Sequence, residues 1–299
     1  DVFMVLGFGF AAYSVVANDS VQTLGTFIAS NGRRGRFVLW LGASVVLVGT
    51  LVVGWWVNGG DVSYGRLDSI PLASDFRWQH AVAPLALVVL TRLGIPVSTT
   101  FLVLSVFASS AVIGDMLVKS FLGYAVAMVS AFVAWRGLGV VLDESSPVVH
   151  DRMWTGLQWV TTAVLFSTWL SHDLANIAVY LPRELSFYTL VVCAVVLVSG
   201  LGFMFYHRGG RIQHIVLEKT GTRYVRSATI IDFCYALVLL VFREVSNVPM
   251  STTWVFVGLL AGREFAVKRQ GQVFPVVAKD FSKMMVGLAV SIVIVWAAG

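Results

Sequence analysis

Two carboxylates stand where the surrounding sequence should exclude them. Asp19, in Ala17-Asn18-Asp19-Ser20-Val21-Gln22, and Asp173, in Ser171-His172-Asp173-Leu174-Ala175-Asn176, each interrupt a long apolar stretch. A carboxylate at the bilayer centre costs at least about 3 kcal/mol, and it persists when it faces a cavity, a partner or an ion. Amides accompany both: Asn18 and Gln22 around Asp19, and Asn176 after Asp173. Many neutral oxygens and only two charges suit a hard monovalent cation, sodium before the proton. The plain alternative is a polar contact between helices.

A second motif is built for the opposite charge. Gly94-Ile95-Pro96-Val97-Ser98-Thr99-Thr100 returns as Asn247-Val248-Pro249-Met250-Ser251-Thr252-Thr253. Proline suits the first turn of a helix, and Ser and Thr cap it. A helix that starts inside the membrane directs unpaired N–H groups and a partial positive charge ahead of itself. Three hydroxyl-bearing residues at that point suit a tetrahedral oxyanion, and two such starts would clasp one. The plain alternative is capping of the motif's own helix. Arg92 and Arg243 precede the two tips and are accessory candidates, free also to pair with carboxylates such as Glu244. His172 is a further accessory candidate, because imidazole titrates near neutral pH. No nucleophile–base pair, metal-ligand cluster or phosphate-binding loop points to an enzyme; Gly7-x-Gly9 has no strand before it.

These residues need an apolar frame. Hydrophobic residues make up 58% of the 299 and charged residues 12%, where a soluble domain carries roughly 25% charged. Phe37–Val57, Phe187–Tyr206 and Phe281–Ala298 are each long enough to span a hydrocarbon layer of roughly 30 Å. The first residues lack the basic start of a cleavable signal peptide. The net charge of +5 then reports membrane orientation and contact with lipid headgroups, not nucleic-acid binding. Cys193 and Cys234 fall inside apolar segments and are expected to be reduced.

The frame is written twice. Asp19 and Asp173 are 154 residues apart, and Pro96 and Pro249 are 153 apart. Two polar motifs in one order at nearly one offset define an internal repeat, which in transporters surrounds the binding site. The expected fold class is an all-α polytopic membrane protein of two inverted-topology repeats. Each has a broken first helix, spanning helices and a re-entrant helical hairpin. The first repeat is 1–142, the connecting loop 143–152 and the second repeat 153–299, together one transporter domain. The third span of the first half is expected from about Lys119 to Leu142, and the second half opens with a helix over Trp154–Leu181. With the N-terminus outside, the inner loops 31–36, 143–152, 207–226 and 263–283 hold fourteen Lys and Arg. The outer loops 58–78, 112–120 and 182–185 hold four. The positive-inside rule selects this orientation, and a multi-pass protein of the cell membrane follows.

Taken together, the doubled Asn-Asp and Pro-x-Ser-Thr-Thr motifs resemble the inorganic phosphate transporter (PiT) family, which includes sulfate permeases. The resemblance covers most of the chain. It implies broken helices, hairpins and a site on the pseudo-twofold axis, and phosphate uptake driven by sodium or, in some members, protons. Asn18, Asp19, Gly25-Thr26, Asp173, Ala175, Asn176 and both Ser-Thr-Thr triplets match. Gln22 stands where the family has Asn, and His172 replaces the Asn before the second Asp. Phe101 and Trp254 replace the His that often follows the triplets. The expected function is therefore cation-coupled symport of inorganic phosphate. Substrate contacts fall to Ser98, Thr99, Thr100, Ser251, Thr252, Thr253, Asp19 and Asp173. Cation contacts fall to Asn18, Asp19, Gln22, Asp173 and Asn176, with no resident cofactor. A sulfate or other oxyanion permease stays open, as do a passive anion channel and a non-transporting sensor. A homodimer is compatible with all of these.

Overall fold

The computed structural model describes residues 2–32, 34–92, 97–138, 151–207, 213, 225–267 and 270–298. Every regular element among them is a helix. The first tip, Gly94-Ile95-Pro96, and the linker 143–150 lie outside the described residues.

The chain opens with α1 (Val2–Ser14), a π-helical turn at Val15–Asp19 and α2 (Ser20–Ser30), followed by α3 (Arg36–Val57). Then come α4 (Trp78–Arg92), the short α5 (Thr99–Leu104) and α6 (Ser110–Gly137). The second half runs α7 (Asp151–Asp173), α8 (Ala175–Ala178), α9 (Phe187–Tyr206), α10 (Val225–Val245), α11 (Thr252–Val267) and α12 (Gln270–Ala298). Five helices are long and apolar enough to cross a membrane: Arg36–Val57, Ser110–Gly137, Phe187–Tyr206, Val225–Val245 and Phe274–Ala297.

Both halves thus run through a broken helix, a spanning helix, two helices on either side of the Pro-x-Ser-Thr-Thr motif and a long last helix; the first of those two helices is long enough to span in the second half, where a short re-entrant arm was expected. Several boundaries move. The third helix of the first half starts at Ser110, because the Ser109 hydroxyl caps it by accepting from the Val112 N–H at 3.4 Å. That brings Lys119, assigned to an outer loop, into a helix. In the second half α11 continues to Val267 and α12 begins at Gln270, so most of the inner loop 263–283 is helical.

Packing pairs elements within and between the two halves of the chain. Each broken helix lies against its own first hairpin arm, α1 on α4 and α7 on α10. Each last helix lies against the other half's second arm, α6 on α11 and α12 on α5. The α3 and α9 helices pack on one another. Close approach of α6 and α11 depends on small residues. A Cβ on Gly258 would overlap the Tyr124 carbonyl oxygen, and one on Gly262 the Met128 carbonyl oxygen. Small-xxx-small spacing lets backbones approach in this way.

The connections meet in two groups. Trp55 Nε1 donates to the Leu185 carbonyl at 2.7 Å, and Arg183 donates to the Ile70 carbonyl at 2.7 Å. Elsewhere Arg36 donates to the Tyr206 carbonyl at 3.0 Å, and Asn31 to Gln158 Oε1 at 3.0 Å. Segments 58–77 and 181–186 therefore meet one another, and segment 31–36 meets the end of α9 and the start of α7.

Candidate functional site

Both carboxylates sit where their helix breaks. The π turn ends at Asp19, and an inserted residue of this kind distorts the regular ladder. Ser20 ties the break by bonding the Val16 carbonyl four residues back. In the second half α7 ends at Asp173, Leu174 intervenes and α8 begins at Ala175. Asp19 and Asp173 are each 1% exposed.

Consecutive threonines of one helix start bond to both, so the two share one buried cluster. An amide three residues on holds each carboxylate. Gln22 Nε2 donates to Asp19 Oδ1 at 3.4 Å, and Asn176 Nδ2 to Asp173 Oδ1 at 2.8 Å. The second triplet supplies a hydroxyl to each. Thr252 Oγ1 donates to Asp173 Oδ2 at 2.7 Å, and Thr253 Oγ1 to Asp19 Oδ1 at 3.4 Å. Thr252 is itself oriented: Trp169 Nε1 donates to its hydroxyl at 3.2 Å, and the Tyr235 hydroxyl to its carbonyl at 2.8 Å.

The first triplet completes the cluster. Thr99 stands beside Asp19. Thr100 donates to the Met250 carbonyl at 3.3 Å and lies 3.5 Å from Asn176 Nδ2. The serines behave differently. Ser98 Oγ accepts from the Phe101 N–H at 3.3 Å and Ser251 Oγ from the Trp254 N–H at 3.2 Å, so each caps its own helix. Phe101 and Trp254, which follow the triplets, meet at 5.1 Å between ring centroids. Equivalent residues of the two halves are therefore in contact.

Two oxygens here keep unused hydrogen-bonding capacity. Thr99 Oγ1 and Asn176 Oδ1 are buried and make no hydrogen bond of regular geometry. Buried polar atoms are normally satisfied, so such atoms call for an explanation. Neutral oxygens beside two carboxylates form a donor set that suits a hard cation. Among the described residues no three His, Cys, Asp or Glu form a metal-binding group.

Other expected site residues stand apart. Arg92 is exposed and lies over the Tyr13 ring at 6.0 Å. Arg243 pairs with Glu244 at 3.9 Å and lies over the Tyr64 ring at 5.1 Å. His172 is 3% exposed, and its Nε2 lies 3.0 Å from the Leu239 carbonyl. That contact fits a neutral ring donating to the carbonyl. The Asn18 side chain lies outside the described residues.

The structure adds one carboxylate that the motifs did not reveal. Asp232, on α10, is 1% exposed and accepts from Thr26 at 2.7 Å and Thr162 at 2.5 Å. A lone Asp within Thr229-Ile230-Ile231-Asp232-Phe233-Cys234 was itself a signal, by the reasoning applied to Asp19.

Broken helices whose carboxylates meet two hydroxyl-lined hairpin starts make up the architecture of a polytopic helical transporter. A solved sodium-dependent phosphate transporter has this fold: it matches with a TM-score of 0.63 and 17% identity, over 100% of this chain and 97% of that one. Comparison with protein-family models and with curated proteins gives no match.

Proposed function

We propose that the chain is a secondary transporter of inorganic phosphate, coupled to sodium, built from two inverted repeats spanning 1–142 and 153–299. The observation that carries the reading is the pair of buried carboxylates, one from each half, that meet at the start of one helix. Two carboxylates not yet joined by cations would repel an oxyanion, so cations must enter first and turn a repulsive site into an attractive one. Thr99, Thr100, Thr252 and Thr253 then bind the anion, with the cations between it and Asp19, Gln22, Asp173 and Asn176. Ser98 and Ser251 hold the helix starts. The contacts between each last helix and the opposite half's hairpin support a twofold relation. The full-length likeness to a sodium-dependent phosphate transporter supports the substrate and the ion.

Uptake of labelled phosphate and sulfate into proteoliposomes tests this, with sodium and pH gradients imposed separately. Saturable phosphate uptake that follows the sodium gradient is expected. Flux without saturation or cation dependence would make the chain a channel, and no net flux would make it a sensor. Preference for sulfate would keep the mechanism and change the substrate.

A further inference from the structure

We propose that the cavity between segment 58–68 and the end of α10 is a second oxyanion site, separate from the carboxylate centre, in which Arg66 and Arg243 hold a tetrahedral anion such as phosphate or sulfate. The cavity has a volume of about 530 Å³, and Arg66, Arg243, Asn58, Tyr64 and Asn247 are among its lining residues. It lies over the second hairpin tip, which leads directly into Ser251-Thr252-Thr253.

Buried positive charge without a counter-ion carries the argument. Arg66 is 1% exposed and Lys119 7%. Arg66 donates to the Ser246 carbonyl at 2.5 Å and reaches the Arg243 carbonyl at 3.5 Å. Lys119 Nζ donates to the Ser246 and Val248 carbonyls at 2.6 and 2.8 Å and reaches Ser246 Oγ at 3.4 Å. These partners are all neutral oxygens. Among the described residues neither cation forms a salt bridge. Arg66 meanwhile feels repulsion from Arg243, only partly offset by Glu244, and Lys119 feels repulsion from Arg66. Grouping buried cations in this way is costly unless an opposite charge joins them. Arg66 Nε is also buried with no partner, so the guanidinium keeps an N–H for a ligand.

The acids that line the cavity do not fill that role. Asp61 accepts the Ser63 and Gly65 N–H groups at 2.7 and 2.8 Å, one with each carboxylate oxygen. Asp68 is exposed and lies 3.5 Å from Asn247 Nδ2. Glu244, 79% exposed, reaches Arg243 at 3.9 Å but forms no salt bridge with Arg66. Arg66 is the buried charge of the lining, while Asp68 and Glu244 are exposed. Burial, then the nearby Arg243, lower the Arg66 pKa to about 10, so it is charged at neutral pH. Guanidinium is well matched to a tetrahedral oxyanion.

Equilibrium binding of labelled phosphate to the purified full chain in sodium-containing detergent solution tests the site, with sulfate as competitor. Two binding classes per chain are expected. Arg66→Gln and Arg243→Gln should each weaken one class at least tenfold, and Thr252→Ala the other. Arg243 carries the test if Arg66→Gln fails to fold, because its side chain is 37% exposed. A single class, abolished by Thr252→Ala and unmoved by Arg243→Gln in folded protein, would overturn the proposal. Loss of binding in Arg243→Gln with none in Thr252→Ala would uphold this site and defeat the central reading.

Discussion

At the residue scale the Ser-Thr-Thr triplets divide their labour. Ser98 and Ser251 cap helices, while Thr252 and Thr253 address the carboxylates. Ser98→Ala and Ser251→Ala should each cost about 1 kcal/mol of stability and leave affinity within about twofold. Thr99→Ala and Thr252→Ala should each raise the apparent phosphate constant at least about tenfold, as loss of a charge-assisted bond would. Thermal melting and uptake on the four variants would separate the roles; lowered melting with unaltered affinity in both threonine variants would leave the motif as structure. Asp232 supports a second prediction. An amide can keep contact with Thr26 and Thr162 while losing the charge. Asp232→Asn should therefore melt within a few degrees of the parent and slow uptake at least about tenfold. Unchanged uptake would return Asp232 to a polar helix contact. Asp19, Asp173 and the triplets were legible because they recur. Asp232, Arg66 and Lys119 have no recurring motif, and their burial arises only when distant helices close around them.

The hydrophobic pattern located the helices themselves. Phe187–Tyr206 appears with the bounds the apolar run gives it, and α3 begins one residue before its run. Starts set by capping or amphipathic extension were less legible, as at Ser109 and in the polar first turns of α12. Helix pairing was not legible at all, since it depends on which small residues face one another. The α6–α11 contact shows this best. Any side chain at Gly258 or Gly262 meets backbone, which cannot rotate away. Gly262→Leu should lower the melting temperature by an amount matching about 1–3 kcal/mol of overpacking and reduce uptake. A Cβ on Gly156 meets nothing within 4 Å, so Gly156→Leu is the control, expected to behave as the parent. Equal behaviour of the two variants would mean that α6 and α11 separate easily.

Across the whole molecule, charge decides what transport requires. Moving a divalent anion inward against about −100 mV costs roughly 4.6 kcal/mol, at about 2.3 kcal/mol per charge. One cation cannot offset that; two make the step nearly neutral. Two carboxylates suggest the same number. Phosphate uptake should therefore depend on sodium with a Hill coefficient near two, and sodium should raise phosphate affinity. Stimulation by a proton gradient and none by a sodium gradient would remove sodium from the account.

Thr252 and Thr253 are consecutive residues on one helix, yet they reach carboxylates from opposite halves of the chain. Under the proposed function, a single helix start would thereby act as a coincidence detector. A cation arriving at one carboxylate alone would free one threonine and leave its neighbour engaged. Both threonines would turn toward cargo only when both carboxylates were occupied. A half-loaded carrier would then stay put, and the ion gradient would not leak away through empty or partial cycles.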